Sequence, residues 1–323
     1  MMTTTSAVRA THVPVMLQSV VDSLTPPLLQ KGSILVDATV GLGGHAAALL
    51  EACPQASLIG IDRDGQAIES AGLRLAPFGD RVHLVRARFD ELGLILDAAG
   101  ITYVQAILMD LGLSSMQIDI AGRGFAYTKD GPLDMRMDDR LDVDAAQIVG
   151  TWSLDELTRI LRDYGEEPHA RRVAQAIVDA RPITTTGQLA DVVMDAMPAA
   201  IRYGSGGHPA KRTFQALRIA VNDELSALAG VLPIALDRLG DGGRLAVLSY
   251  HSLEDRLVKQ SFQQACQVRA PRGLPVVPPH LQPQFYPVTK GAVRPLPDEI
   301  SENPRAASAR FRVIGRAAKG EQR

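Results

Sequence analysis

A chain of 323 residues with 46% hydrophobic residues can fill one large or two smaller cores, and 22% charged residues exclude a fibrous or strongly disordered composition. The first ten residues lack a basic stretch followed by an apolar run, and nowhere do about 18 apolar residues pass without a charge; neither an export signal nor a membrane span is expected, and the protein is read as cytoplasmic. Cys53 and Cys266 stand far apart with no ligand spacing, which sets aside a disulfide framework and a structural zinc.

Strands are expected at Ser33–Ala38, Ser57–Asp62, Arg81–Ala87 and Val104–Asp110, each a short aliphatic or β-branched run, with helices between them at Gly44–Ala52, Gly65–Leu75 and Glu91–Ala99. This alternation is the pattern of a parallel α/β sheet covered on both faces. From Gly112 to Val143 the period is lost, as in a long functional loop. A helical stretch follows. Ser153 and Glu156 form a capping box ahead of Leu157, Ile160 and Leu161; His169–Ala180 and the region around Leu189–Ala196 repeat with helical period. Thr213–Leu239 reads as helix with a break near Gly230–Pro233, and Asp241-Gly242-Gly243 turns the chain into a strand at Arg244–Ser249. Arg269–Pro297 is proline-rich and reads as a surface loop, and Ala307–Ile314 is a candidate last strand. The expected organisation is a sheet domain begun by residues 1–125, an all-helical insertion over 126–225, and a return to the sheet over 226–323 with a basic C-terminal segment.

The net charge of −2 is unevenly spread: from Arg256 to the end there are twelve Lys/Arg against four Asp/Glu, whereas Ala126–Glu224 holds twelve against sixteen. The C-terminal segment is therefore a candidate contact for a phosphate backbone, with a solvated tail as the competing reading.

Asp37-Ala38-Thr39-Val40-Gly41-Leu42-Gly43-Gly44-His45 joins the first strand to the first helix, where an open parallel sheet binds its ligand. Gly41, Gly43 and Ala46 satisfy a loose dinucleotide pattern and Asp62 ends the second strand where a ribose-binding acid is expected, so a nicotinamide dehydrogenase is one reading. Asp37 favours another. A carboxylate beside the helix start repels a pyrophosphate but suits S-adenosylmethionine, which carries an ammonium and a sulfonium. Asp62 is then expected on the ribose hydroxyls, and Phe89 either on the adenine or in the core.

Asp110-Leu111-Gly112-Leu113-Ser114-Ser115-Met116-Gln117 leaves the fourth strand beside the expected donor. The lone pair of an exocyclic cytosine amine is conjugated with the ring, so its methylation calls for an acceptor of the N–H bonds; Asp110 is the candidate, with a purely organising role as the alternative. Methylation at ring carbon would need a cysteine nucleophile, and neither Cys53 nor Cys266 sits in a suitable place. Tyr250 and His251 follow the strand after the insertion. The first is a candidate to stack on a flipped base; the second is either a proton shuttle or phosphate contact, or a structural histidine. His208, Lys211, Arg212 and Arg218, after Gly206-Gly207, suit RNA phosphates or a solvated helix face.

Taken together, His12–Leu17, the Asp37–His45 loop, Ile61–Asp64, Asp110–Gln117, Arg123-Gly124-Phe125, Asp130–Met137, His208–Arg218, Ser249–Arg256 and Asn303-Pro304-Arg305 resemble the bacterial ribosomal RNA small subunit methyltransferase H family, the 16S rRNA cytosine-1402 N4-methyltransferases. The resemblance spans nearly the whole chain, and its most specific strings are Asp130–Met137 and Ser249–Arg256. It implies a class I S-adenosylmethionine methyltransferase, a Rossmann-like sheet with an inserted all-helical substrate-recognition domain. It also implies S-adenosyl-L-methionine as cofactor and 16S rRNA in the assembled small subunit as partner, with no membrane contact; a homodimer is left open. Carried over by motif, donor contacts fall on Gly43, Gly44, His45, Asp62, Phe89, Asp110 and Gln117, and the residue reading adds Asp37 and Gly41. Val40, Leu42 and Met116 depart from the common family residues. An RNA-binding protein with a relict cofactor fold is the third class of reading.

Overall fold

A computed structural model describes residues 13–202, 207–268 and 281–318; His12, Gly206 and the 269–280 part of the proline-rich stretch lie outside the described residues. Seven strands form one sheet: β1 Ile34–Asp37, β2 Ser57–Asp62, β3 Val82–Arg86, β4 Val104–Asp110, β5 Leu239–Ser249, β6 Phe285–Pro287 and β7 Arg310–Arg316. Their order is β3-β2-β1-β4-β5-β7-β6, parallel through β5, with β7 antiparallel to β5 and β6 antiparallel to β7. Because strand side chains alternate, Leu35, Leu58, Ala106, Leu108, Ala246 and Leu248 join one buried cluster, and Val36, Ile59, Ile107, Met109, Leu245 and Val247 join another on the opposite face. Order reverses between β1 and β4, and the crevice outside their carboxyl ends is where such sheets take ligands.

The helices run α1 Leu17–Leu28, α2 Gly44–Ala52, α3 Gly65–Leu75, α4 Leu92–Ala98, α5 Ser115–Asp119, α6 Ala145–Thr151 and α7 Leu154–Asp163. They continue as α8 Ala170–Asp179, α9 Thr186–Ala196, α10 Ala199–Arg202, α11 Lys211–Asn222, α12 Glu224–Asp237, α13 Ser252–Ala265 and α14 Pro297–Glu302. A third buried cluster, from Phe125 to Val221, is built wholly within the segment between β4 and α12. Reciprocal capping boxes start α5, α6, α7 and α9, at Ser114, Asp144, Ser153 and Thr185, each such cap contributing about 1 kcal/mol. Among the described residues no single helix is long and apolar enough to cross a membrane.

Several elements differ from expectation. Helix α1 lies in a segment to which the sequence assigns no element and holds Pro26 and Pro27 in its last turn; the Ser23 carbonyl that Pro27 cannot engage accepts from Arg244 Nη1 at 2.7 Å instead. The helix break falls at Asp223 (φ 51°), not at Gly230–Pro233. Pro233 is accommodated inside α12 because the carbonyl it orphans belongs to Ala229, an exposed residue on the solvent side, while Leu228, Val231, Leu232 and Ala235 hold the other face in the core. Strand β5 begins at Leu239: Leu239 pairs with Val104 and Arg244 with Ala106, so residues 240–243 bulge out within the strand. The last strand begins three residues late, since Pro304–Ser308 forms a 3-10 turn, and the unexpected β6 pairs with its far edge.

Candidate active site

A cavity of about 820 Å³ opens at the carboxyl ends of β1, β2, β4 and β5, between the sheet and the helical insertion. Of the expected residues, Gly41, Gly44, His45, Asp62, Phe89, Asp110, Gln117, Lys211, Arg218, Tyr250 and His251 line it. Asp37, Gly43, His208 and Arg212 do not.

The floor is made by local backbone. Gly43 has φ 73° and caps α2, a conformation that a side chain strains, and its N–H donates to Val40 O at 2.7 Å. The turn sends the Gly41 N–H to Asp62 Oδ2 at 2.9 Å, and the Asp64 N–H reaches Asp62 Oδ1 at 2.9 Å. Burial outweighs these two bonds and pushes the Asp62 pKa up to about 6, so the group is mostly ionised at pH 7. His45, nearly buried, has Nε2 2.9 Å from the Val15 carbonyl, placing the Pro14–Val15 segment over the loop, and Nδ1 3.6 Å from Asp110 Oδ2. Phe89 opens a 3-10 turn after β3 and is partly packed into the core beneath the cavity.

Asp37 departs from its expected place. It is 2% exposed, accepts the Thr39 N–H at 3.2 Å, and lies behind the wall. Burial, then the nearby Asp110 and Asp62, pushes its pKa up to about 8, so its carboxyl is mostly neutral at pH 7. The negative charge facing the cavity at this end is carried by Asp62 and not by Asp37.

At the other end, Tyr250 donates its hydroxyl to Asp110 Oδ1 at 2.7 Å, bridging residues 140 positions apart. Burial and the Asp110 carboxylate raise the Tyr250 pKa well above its ordinary value, so the phenol stays a donor. Its ring passes so close to Gly112 that an added Cβ would lie 3.2 Å from Tyr250 Cδ2, and the φ of 96° would strain any side chain there, so both favour glycine. One ring face is thereby occupied by the turn. The Tyr250 N–H donates to Glu254 Oε2 at 2.8 Å. His251 caps α13 through Nδ1, which accepts the Glu254 N–H at 3.4 Å, and its Nε2 lies 3.1 Å from Glu254 Oε1 without hydrogen-bond alignment. Burial alone would raise the Glu254 carboxyl; contacts with His251 and Arg218 and the Tyr250 N–H outweigh it and hold the group below the ordinary range. Gln117 closes the capping box of α5 and donates from Nε2 to Asp64 Oδ2 at 2.9 Å.

Helix α11 presents Lys211, Phe214, Gln215 and Arg218 to the cavity, the i, i+3, i+4, i+7 spacing of one helical face. The expected basic stretch is therefore split. Lys211 is exposed at the cavity, while Arg212 turns outward, with Nη1 3.9 Å from Glu167 Oε2. His208 stacks on Tyr127 with ring centroids 4.6 Å apart. Arg218, expected at the surface, has a side chain only 14% exposed and donates from Nε to Glu224 Oε1 at 2.9 Å. Sequence reading missed Arg63, Asp64, Glu224 and Glu254. Arg63 donates from Nη1 to the Asn222 carbonyl at 2.9 Å, while among the described residues its Nε and Nη2 find no hydrogen-bond partner. Asp64 receives Arg123 Nη1 at 2.8 Å, and Arg123 Nη2 reaches the Arg136 and Met137 carbonyls, so these motif residues fasten the insertion to the sheet. The one available signal was the clustering of buried-type charges in motif strings.

A sheet of this strand order with an antiparallel seventh strand, and a cavity walled by the acids that end β2 and β4, defines a methyltransferase of the class I, Rossmann-like type. Residues 9–317 match the model of the MraW methylase family, and the chain belongs to that family. Over 314 residues it is 54% identical to the ribosomal RNA small subunit methyltransferase H of Cutibacterium acnes, covering 96% of this chain and 93% of the relative. It is 56% identical over 308 residues to the protein of the same name from Thermobifida fusca, covering 94% and 93%. Family membership removes the nicotinamide dehydrogenase reading.

Proposed function

We propose that this protein transfers the methyl group of S-adenosylmethionine to the exocyclic N4 of a cytosine, position 1402 in the decoding region of 16S rRNA, within an assembled small ribosomal subunit. The names of the relatives support the RNA class. The observation that carries the chemistry is the Tyr250–Asp110 pair at 2.7 Å, which opens into the same cavity as Asp62.

The residues present fit the donor. Asp62 offers remaining lone pairs to ribose hydroxyls and a negative charge to a cationic ligand; the Gly41–His45 turn brings backbone close, and Phe89, which lines the cavity, offers its ring to the adenine. When bound, S-adenosylmethionine supplies the electrophilic methyl group. The chain's own work is at the amine. Asp110 accepts an N–H of the amine and so favours the tetrahedral nitrogen whose lone pair is free of the ring, and it takes the proton released afterwards. Tyr250, donating to Oδ1, fixes the carboxylate's orientation. The segment 126–225, with its own core and the α11 face on the cavity, serves as the substrate-recognition unit, and exposed Lys211 meets the RNA backbone.

Mass mapping of 16S nucleosides tests this reading. Small subunits from a deletion strain, treated with the purified protein and S-adenosylmethionine, are expected to gain one N4-methylcytidine. Methylation of a ring carbon, or of another base, would remove the reading.

A further inference from the structure

Among the described residues, seven buried side-chain nitrogen or oxygen atoms lack a hydrogen-bond partner, and four of them belong to residues that line this one cavity: Arg63 Nε and Nη2, Arg218 Nη2 and His251 Nε2. Buried donors whose hydrogen bonds are absent or misaligned cost free energy, so their concentration around one cavity points to a ligand that supplies acceptors. Arg63 lies beside Asp62, at the donor end. Arg218 and His251 lie at the Asp110 end, and both are positioned by a single side chain: Glu254 Oε1 is 3.1 Å from His251 Nε2 and 4.0 Å from Arg218 Nη2. The Glu254 Oε2 atom holds the Tyr250 N–H, and Tyr250 holds Asp110, so one buried carboxylate ties these two donors to the proposed proton acceptor.

We propose that Arg218 Nη2 and His251 Nε2 read the acceptor edge of the target base, the N3 and O2 atoms of a flipped cytosine whose N4 lies at Asp110. This rests on the cytosine reading above. His251 Nδ1 accepts a backbone N–H, which leaves the proton of the neutral ring on Nε2 and makes that atom a donor. The charge balance selects a neutral acceptor over a phosphate: Glu224 and Glu254 already offset the Arg218 guanidinium, so no net positive charge remains for an anion. Cytosine presents two adjacent acceptors beside its amine. Uracil presents an N3–H that would face these donors unsatisfied, which rejects it.

The test is a cycle between substrate atoms and side chains. Small subunits are reconstituted with 3-deazacytidine or 2-thiocytidine at the target, and kcat/KM is compared for the wild-type, Arg218→Lys and His251→Asn proteins. The lysine keeps the charge beside Glu224, and the asparagine keeps the helix cap. Each edited base is expected to lower wild-type kcat/KM roughly tenfold or more. In the variant lacking the matching donor the same edit should cost less than about threefold, with the S-adenosylmethionine Kd unchanged within about twofold. Equal penalties in wild type and both variants, or no penalty in wild type, overturn the inference. A wild-type protein that forms no N4-methylcytidine on unmodified subunits would instead sink the underlying reading.

Discussion

The two ends of the cavity are built differently. At the donor end, Asp62 is set by the N–H groups of Gly41 and Asp64, and Gly43 fixes the turn, so short stretches of backbone do the positioning. At the acceptor end, Asp110 is held by Tyr250, and Arg218 meets Glu224 and Glu254, contacts between side chains that the fold alone brings together. Backbone positioning resists single side-chain changes and leaves an ionised acid at the wall. Side-chain positioning couples several groups, so removing one displaces the rest.

The largest expected effect breaks the acceptor end without touching the donor end. Asp110→Asn should lower the single-turnover methyl-transfer rate by about 10²- to 10⁴-fold, the range for a positioned acid–base group, while subunit affinity in a filter-binding assay stays close to wild type. A rate within about threefold of wild type would relocate the chemistry. A much smaller effect belongs to the rim. Lys211→Ala should weaken subunit binding only modestly and reduce the slope of log K against log salt by about one, because exposed Lys211 is proposed as a phosphate contact and not as a base reader. An unchanged slope would take the RNA path away from α11.

The same contrast explains what was legible in the sequence. Strands β1 to β4 and helices α2, α3, α7, α8 and α9 follow from periodicity and caps, which are local signals. The Asp37–His45 turn and Asp62 follow from their place at strand ends. The burial of Asp37 is not legible because its position at the end of β1 does not reveal whether the carboxyl faces the crevice or the layer behind it; burial leaves the group mostly neutral at pH 7. Arg218 read as a phosphate contact because basic residues cluster near it, but the α11 face turns it toward Glu224 and Glu254. The break at Asp223 was hidden because it depends on Asn222, whose side chain donates to the Met135 carbonyl at 2.7 Å and accepts the Met137 N–H at 2.8 Å, 85 positions away from the latter.

The central claim is that an ionised Asp62 receives a cationic ligand. Its folded pKa of about 6 lies above the ordinary carboxylate value, so the group gains a proton, and the wall loses its charge, as pH falls through 6. S-Adenosylmethionine carries the sulfonium charge and S-adenosylhomocysteine does not. Calorimetry of both ligands from pH 5 to 7.5 should show the preference for the charged one rising about fivefold with pH in wild type, equivalent to a one-unit fall of the Asp62 pKa on binding, and staying flat in Asp62→Asn. A preference independent of pH in wild type, or one that rises equally in Asp62→Asn, would contradict the claim.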